Sequence, residues 1–331
     1  MTAKGAKDVL IPVASEFDII RKYFTRPAPT AVLGVGDDCA LLQPRLGMTL
    51  AVSTDMLLAG RHFFPDAEPG KLGHKALAVN LSDLAAMGAD PRWATLAIAL
   101  PEADEKWIAA FAQGFFRLAA RFEVELIGGD TTRGPLAISV TVIGEVPADL
   151  ALRRDGALAG DDIWVSGATG EAALALAYLQ RRVTLESPAR EACLERLHAP
   201  EPRVELGGRL RGLARSAIDI SDGLLADLGH VLEASGVGAE LAWESLPRAR
   251  AIAECADPAL AADCLLAGGD DYELVFTAPP SKRAEIEAVG GDLGLSLTRI
   301  GAAVPGKPVA TLRDAQGKII SASRKGFDHF A

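Results

Sequence analysis

The stretch AIDISDGLLADLGHVLEASG, residues 217–236, decides the class of fold, because an apolar run passes directly into a segment with helical periodicity. The pattern predicts a strand over 216–220 and a helix from Gly223 to Gly236. Asp219 and Asp222 stand where the strand ends and the helix begins, and we expect Asp227 to be a solvated helix residue. The same alternation of strands and helices recurs along the chain and indicates an α/β or α+β protein.

The remaining elements fall on either side of a polar, glycine-bearing stretch at 147–162, which predicts two domains, 1–148 and 149–331. In the first, we expect helices at 15–24 (capped by Ser15), 70–88 and 104–122 (capped by Asp104), and strands at 39–43, 49–54, 92–100, 124–129 and 136–146. In the second, we expect helices at 171–182, 187–198 and 203–214, a strand at 162–167, and a βαβ-like unit with strands at 272–278 and 297–304 around a helix at 280–289.

Composition excludes several classes of protein. The chain has 331 residues, 49% of them apolar, which suits a folded two-domain protein. Its net charge of −10 argues against a nucleic-acid partner or an anionic membrane surface. No apolar stretch resembles a signal peptide or a membrane span, so we expect a cytoplasmic protein. The cysteines lack C-x-x-C spacing and are predicted to be buried, reduced thiols: Cys39, Cys193, Cys255 and Cys264.

Aspartates recur at the ends of predicted strands and the beginnings of helices: Asp37, Asp38, Asp55, Asp83, Asp130, Asp219, Asp222, Asp270 and Asp271. Each alone is explained by helix capping or turn formation. As a set they need another explanation, since two carboxylates ~4 Å apart repel by ~4 kcal/mol at an effective dielectric constant of about 20. Several of them could share one cleft in ionised form only if cations were present.

The other donors near these aspartates are the hydroxyls of Ser53, Thr54 and Thr131, and no His or Cys cluster accompanies them. Oxygen-only sites select hard cations such as Mg²⁺ or Mn²⁺, which in turn bind phosphates. Familiar nucleotide motifs are absent from the sequence. Gly70-Lys71, Gly306-Lys307 and Gly317-Lys318 are not followed by Ser or Thr, there is no H-R-D or D-F-G, and Cys39 stands where a dinucleotide fingerprint needs glycine.

Taken in order, the motifs resemble the thiamine-monophosphate kinase family, within the ATP-binding superfamily of aminoimidazole ribonucleotide synthetase. The matching blocks are GVGDDCALL (34–42), VSTDML (52–57), GRHF (60–63), KALAVNLSDLAAMGADP (75–91), LIGGDTTRGP (126–135), AIDISDGLLADLGH (217–230), GGDDYEL (268–274) and KGFDHF (325–330). The resemblance implies a two-domain α/β fold whose N-terminal domain pairs across a homodimer into a β-barrel. It also implies phosphorylation of thiamine monophosphate by ATP.

The resemblance implies a role for each matching residue. Several Mg²⁺ ions would be held by Asp38, Ser53, Thr54, Asp55, Asp83, Asp130, Asp219 and Asp222. ATP would be contacted by Gly129, Asp130, Arg154 and Ser221, and the substrate by His62, Asp270 and Phe327. Asp37 is expected to support Asp38 or turn the chain. The chain departs from the family pattern at Asp270, where a glutamate is frequent, and the shorter side chain puts its direct contact with substrate in question.

The implied chemistry needs no general base, because an oxygen of the substrate's own phosphate is the nucleophile, and we expect direct in-line transfer. The thiazolium cation would favour an acidic or aromatic neighbour such as Asp270 or Phe327. Three alternatives stay open: a superfamily member that phosphorylates another small molecule, a metal-dependent phosphohydrolase, and a non-catalytic module that binds a phosphorylated ligand.

Overall fold

A four-stranded sheet with two long helices on one face forms the first half of the chain. The computed structural model describes residues 15–320 and Gly326. After α1 (Glu16–Ile19) and a single wide helical turn (Ile20–Phe24) come β1 (Met48–Leu58), α2 (Pro69–Ala86), β2 (Asp90–Leu100), α3 (Glu105–Arg121), β3 (Glu125–Arg133) and β4 (Ala137–Pro147). The strand order is β1-β4-β2-β3, with β2 and β3 parallel and the other neighbours antiparallel.

Local signals place the helix ends. Ser15 and Asp18 form a reciprocal capping box at α1, and the Asp104 side chain accepts hydrogen bonds from the first backbone N–H groups of α3, as predicted. Helix α2 begins with Pro69, and the Glu68 carboxylate accepts from the N–H groups of the next two residues. The segment 39–43, predicted as a strand, makes only an isolated bridge between Leu33 and Leu41, so that prediction was wrong.

Helices α2 and α3 cover one face of this sheet and leave the other face open. Leu57 of β1 is buried under the helices, whereas Leu50, Val52 and Met56 alternate with it and are exposed on the outer face. Antiparallel pairing places Thr141 of β4 beside Thr54 on that outer face, and their hydroxyl oxygens are 2.8 Å apart.

A seven-stranded sheet organises the second half. Its elements are β5 (Asp162–Ser166), α4 (Glu171–Leu179), α5 (Ala189–His198), α6 (Val204–Leu210), β6 (Ser216–Asp219), α7 (Leu224–Ser235), β7 (Gly238–Ala242), α8 (Arg250–Ala253), α9 (Pro258–Ala267), β8 (Leu274–Ala278), α10 (Arg283–Leu293), β9 (Leu297–Val304), β10 (Ala310–Arg313) and β11 (Ile319–Ile320). The order is β11-β10-β7-β9-β5-β8-β6, and only β10 and β7 are parallel.

The predicted βαβ-like unit is present in split form. Strands β8 and β9, joined by α10, run on either side of β5 and are each antiparallel to it. The short β7, β10, β11 and α8 were not predicted, because elements of two to five residues carry too little periodicity. The ten-residue α9 was not predicted either. The predicted helix 203–214 ends at Leu210.

Of the four cysteines, Cys193 and Cys264 are buried, while Cys39 is exposed and Cys255 half-buried, which corrects the expectation for those two.

Helix α2 connects the two halves. It packs on β1 and β4 of the first sheet, and on β6 and α6 of the second half. Thirteen of its 18 residues are buried, including Lys75, Asn80 and Ser82, so these three polar side chains need partners inside the protein. Within residues 15–320, no helix is long and apolar enough to cross a membrane.

Glycines set the distance between α2 and α3. A Cβ at Gly114 of α3 would lie 1.8 Å from the carbonyl oxygen of Gly70, and one at Gly73 would lie 2.0 Å from the carbonyl oxygen of Phe111. By contrast, Gly229 in the interior of α7 has no atom within 4 Å of where a Cβ would stand.

These two environments predict opposite effects of the same substitution. Gly114→Ala forces the helices apart and lowers the free energy of unfolding by about 1–3 kcal/mol. Gly229→Ala removes the entropic cost of a helical glycine and raises it by up to about 1 kcal/mol. Urea titration followed by circular dichroism measures both. Equal effects of the two variants would show that α2 and α3 do not approach this closely.

Candidate functional site

A cavity of about 710 Å³ lies between the two halves of the chain. One wall comes from β1, the loop after it and α2. The other comes from α4, α9, the end of β6 with the loop that follows it, and residues 269–272. Four of the predicted metal-binding aspartates line it: Asp55, Asp83, Asp219 and Asp222.

Burial and mutual repulsion disfavour the ionised forms of these aspartates. Burial, together with the charges of Asp83 and Asp222, raises the pKa of Asp55 to about 6. Burial, together with the charges of Asp83, Asp227 and Asp55, raises the pKa of Asp219 to about 8 despite a hydrogen bond from Ser82. Burial also raises the pKa of Asp83, against the Ser53 hydrogen bond and the positive charge of Arg154. Three carboxylates therefore interact across this wall of the cavity.

Hydrogen bonds hold the acids in place. The Ser53 hydroxyl donates to Asp83 Oδ2 at 2.5 Å, and the fully buried Ser82 hydroxyl donates to Asp219 Oδ2 at 2.7 Å. The backbone N–H of Asp55 donates to Asn80 Oδ1 at 2.9 Å. Because Asn80, Ser82 and Asp83 all belong to α2, this helix connects the acid of β1 with the acid of β6.

The oxygen atoms that these side chains offer are of the type that binds a hard divalent cation. Carboxylate and hydroxyl oxygens are the preferred ligands of Mg²⁺, and a cation would offset both the burial and the mutual repulsion that raise the pKa values of Asp55 and Asp219. Among the described residues, no group of three or more His, Cys, Asp or Glu side chains is arranged so that it could hold one metal ion.

Asp227 closes the loop after β6. Its Oδ2 accepts hydrogen bonds from the backbone N–H groups of Ser221, Asp222 and Gly223, each at 3.0 Å. It is 3% exposed, and burial raises its pKa to about 6 against these hydrogen bonds. The expectation of a solvated helix residue was therefore wrong. The loop wraps around this carboxylate, and Ser221 and Asp222 line the cavity.

Other predicted residues lie apart from this group in the single chain. Asp38 is exposed, and its backbone N–H donates to Asp37 Oδ1 at 2.9 Å, as the sequence suggested for that pair. Asp130 lies exposed on β3, the edge of the sheet opposite β1, and faces outward beside Ala97. The Thr54 hydroxyl also faces outward, away from Asp55 and Ser53.

Gly129 lies next to Asp130 and has a backbone conformation that favours glycine. Its φ is +147°, and a Cβ there would lie 1.8 Å from the carbonyl oxygen of Leu96. Arg154 begins a short turn after the polar linker, and its charge acts on Asp83 at the acid wall although the residue is exposed. The roles of Gly129 and Arg154 stay predictions.

Of the predicted substrate residues, two line the cavity. His62 is half-buried, and its Nδ1 accepts from the N–H of Leu58 at 2.9 Å. Asp270 reaches the cavity from the loop before β8. Phe327 lies outside the described residues.

Sequence reasoning missed Lys75 and Tyr272, misjudged Asp227 and assigned no role to Asp271. Lys75 contacts Asp270, and the buried Asp271 carboxylate accepts from the N–H of Gly170 at 2.9 and 3.0 Å. Burial raises the pKa of Asp271 well above its ordinary value. A signal existed for Lys75, since a lysine in a nearly continuous apolar helix needs a buried partner.

Two family models match the chain, AIR synthase related protein, N-terminal domain, over residues 36–146, and the corresponding C-terminal domain, over 159–312. Thiamine-monophosphate kinase of Salmonella typhimurium is 46% identical over 323 residues, which are 96% of this chain and 98% of that protein.

Solved structures agree with this result. Thiamine-monophosphate kinase of Stenotrophomonas maltophilia is 49% identical and superposes with a TM-score of 0.82 over 88% of this chain and 93% of that one. AaThiL, complexed with AMPPCP and TMP, is 30% identical, with a TM-score of 0.75 over 87% of this chain and 89% of that one.

The predicted two-domain α/β fold of the AIR synthase type is thus confirmed. The family models together match most of the chain, and a relative at 46% identity is matched over almost its whole length. The chain belongs to the thiamine-monophosphate kinase family of enzymes.

Proposed function

We propose that the chain transfers the γ-phosphoryl group of ATP to thiamine monophosphate and forms thiamine diphosphate and ADP. The observation that carries this proposal is the group of Asp55, Asp83, Asp219 and Asp222 on one wall of the 710 Å³ cavity, in a chain of this family. The complex of AaThiL with AMPPCP and TMP supports the choice of substrates.

The reaction forms one P–O bond and breaks another. A phosphate oxygen of thiamine monophosphate attacks the γ-phosphorus, and ADP leaves with the electron pair of the broken bond. The attacking oxygen is ionised near neutral pH, so no side chain has to remove a proton. The protein has to align two polyanions and offset their repulsion.

The acid wall would hold Mg²⁺ through Asp55, Asp83, Asp219 and Asp222, with Asp38, Ser53, Thr54 and Asp130 as the further predicted ligands. Bound Mg²⁺ would supply positive charge to the phosphates. Asn80 and Ser82 keep the acids of β1 and β6 oriented, and the Asp227-bound loop presents Asp222 and Ser221 to the cavity. Arg154, whose charge already acts on Asp83, would pair with ATP phosphate.

The substrate would enter from the side of the cavity lined by His62 and Asp270, with Phe327 as the third predicted contact. Gly129 and Asp130 would contact ATP. We also keep the domain division at 148/149 and the cytoplasmic location as predictions.

We further propose that two copies pair through the open face of the first sheet and together close it into a barrel. The face carries exposed Leu50, Val52 and Met56, which favour burial. Thr54 and Asp130 both point outward on opposite edge strands of the sheet, so within one chain they are far apart. If a second copy placed its β3 beside β1 of the first copy, Asp130 of the second copy would approach Thr54 of the first.

The reaction itself is tested first. With ATP, Mg²⁺ and thiamine monophosphate, we expect thiamine diphosphate and ADP in equal amounts, and none after addition of EDTA. Asp83→Asn should lower kcat about 100-fold or more, because it removes one carboxylate from the acid wall. Asp292→Asn, at an exposed ion pair with Arg209, is the control and should leave kcat unchanged. Inorganic phosphate without thiamine diphosphate would point to a phosphohydrolase or another acceptor instead.

Asp227→Asn tests whether the loop geometry matters. The neutral amide binds three N–H groups less well than a carboxylate, so we expect kcat/KM to fall by about 10- to 100-fold. The control is Asp257→Asn, since Asp257 also accepts from backbone N–H groups at a helix start but is itself exposed and does not line the cavity. A steady-state assay on both folded variants decides the matter, and equal activities would contradict a role for Asp227.

Val52→Asp tests the dimer. Val52 is 62% exposed on the outer face, and a charge there should give a monomer at micromolar concentration and low activity. Val309→Asp is the matched control, because Val309 is 60% exposed but lies in the second half, and it should leave the assembly intact. Analytical ultracentrifugation measures both, and a wild-type monomer would overturn the proposed dimer.

A further inference from the structure

Asp270 is held by two donors on the wall of the cavity that residues 269–272 form. Lys75 Nζ donates to Asp270 Oδ2 at 3.2 Å, and the Tyr272 hydroxyl donates to Asp270 Oδ1 at 3.0 Å. Each carboxylate oxygen thus has one donor among residues 15–320, and a carboxylate oxygen can accept two. The side chain of Asp270 is 33% exposed and lines the cavity.

Lys75 is an unusual partner because its side chain is only 4% exposed. An ammonium group in such a place has to be paired, since its transfer from water into a protein interior is costly. Its second hydrogen bond goes to the carbonyl oxygen of Leu197, at 3.0 Å, near the end of α5. Lys75 is therefore fixed between α5 and the Asp270 loop, and its charge neutralises that of Asp270.

The backbone around Asp270 adds a second constraint. Asp270 and Tyr272 have φ values of +67° and +50°, a region that costs about 1–2 kcal/mol for residues other than glycine. Their N–H groups donate to the carbonyl oxygens of Ser221 and Ile220, at 2.9 and 2.8 Å. The loop that presents Asp222 to the cavity therefore also holds the Asp270 carboxylate in one orientation.

The distance along α2 indicates which part of a substrate reaches Asp270. Lys75 and Asp83 both line the cavity and stand eight residues apart on one helix, which is about 12 Å at 1.5 Å per residue. If the phosphate of thiamine monophosphate lies at the acid wall, the far end of the molecule lies near Lys75. That end is the aminopyrimidine ring, whose 4-amino group is a neutral hydrogen-bond donor.

We propose that Lys75 is a positioning residue that, with Tyr272, orients Asp270 to accept a hydrogen bond from the 4-amino group of the substrate's pyrimidine ring. This inference rests on the proposed function. A carboxylate already neutralised by a buried ammonium attracts a cation weakly but still accepts from an N–H group. On this proposal, the partner of Asp270 is the 4-amino group of the pyrimidine ring and not the thiazolium ring.

The experiment compares thiamine monophosphate with oxythiamine monophosphate, in which a carbonyl replaces the 4-amino group. The wild-type enzyme should prefer thiamine monophosphate by at least about 10-fold in kcat/KM. In the analogue, the carbonyl oxygen at position 4 faces the Asp270 carboxylate, and neither group can donate a hydrogen bond to the other. Asp270→Asn should bring the ratio close to 1, since an amide can donate to the carbonyl. Lys75→Met and Tyr272→Phe should each lower the ratio at least about threefold and leave KM for ATP unchanged.

Lys71→Met is the matched control. Lys71 stands one turn before Lys75 on α2 and lines the same cavity, but it pairs with Glu195. Its loss removes the same charge without touching Asp270 and should leave the substrate ratio unchanged. A purely structural role for Lys75 would lower kcat/KM for both substrates equally.

The outcomes separate this inference from the proposed function. If the wild-type enzyme does not phosphorylate thiamine monophosphate, the proposed function fails. If it does, but the ratio stays the same in Asp270→Asn and Lys75→Met, the kinase stands and the inference about Lys75 and the 4-amino group is overturned.

Discussion

Helix α2 carries polar side chains that are buried between two sheets, and the site depends on the hydrogen bonds that these side chains make. Its apolar residues fill the space between the first sheet and the β6–α6 region, while Asn80, Ser82 and Lys75 lie in the same buried environment. Each has a partner on a different element. Asn80 binds the backbone N–H of Asp55 on β1, Ser82 binds the carboxylate of Asp219 at the end of β6, and Lys75 binds Asp270 before β8. Because unsatisfied polar groups are costly in such a place, these hydrogen bonds determine how the two walls of the cavity stand relative to each other.

The resulting cavity has two electrostatic ends. At one, burial and the charges of neighbouring carboxylates raise the pKa values of Asp55 and Asp219, and this suits cations and the phosphates that cations bind. At the other, Lys75 neutralises Asp270, and the pair suits a neutral polar group. The loop of Ser221 to Gly223 connects the two, since its N–H groups donate to Asp227 and its Ser221 carbonyl oxygen accepts from the N–H of Asp270. Thus a change at either end is expected to reach the other through a few hydrogen bonds.

Much of the architecture could be predicted from local patterns. Helices α2 and α3 and strands β2, β4 and β9 lie close to where periodicity placed them, because long segments carry a strong signal and their caps are local. The short β7, β10 and β11 were missed, since pairing with distant strands rather than their own sequence stabilises them. Asp227 was misjudged for a related reason. Its helical position is typical of a solvated acid, but the three N–H groups that it binds exist only because the loop before α7 folds back on it.

By itself, the sequence determined the α/β class, the caps of the long helices and the family, because these follow from periodicity and from motifs read along the chain. Only the tertiary structure decided which aspartates meet. Asp55, Asp83, Asp219 and Asp222 share a cavity, whereas Asp130 lies on the opposite edge of its sheet and Asp38 is exposed outside the cavity. It also showed that Asp270 is paired with Lys75, 195 residues earlier in the chain. Contacts across such separations depend on how sheets and helices pack, and no local pattern encodes them.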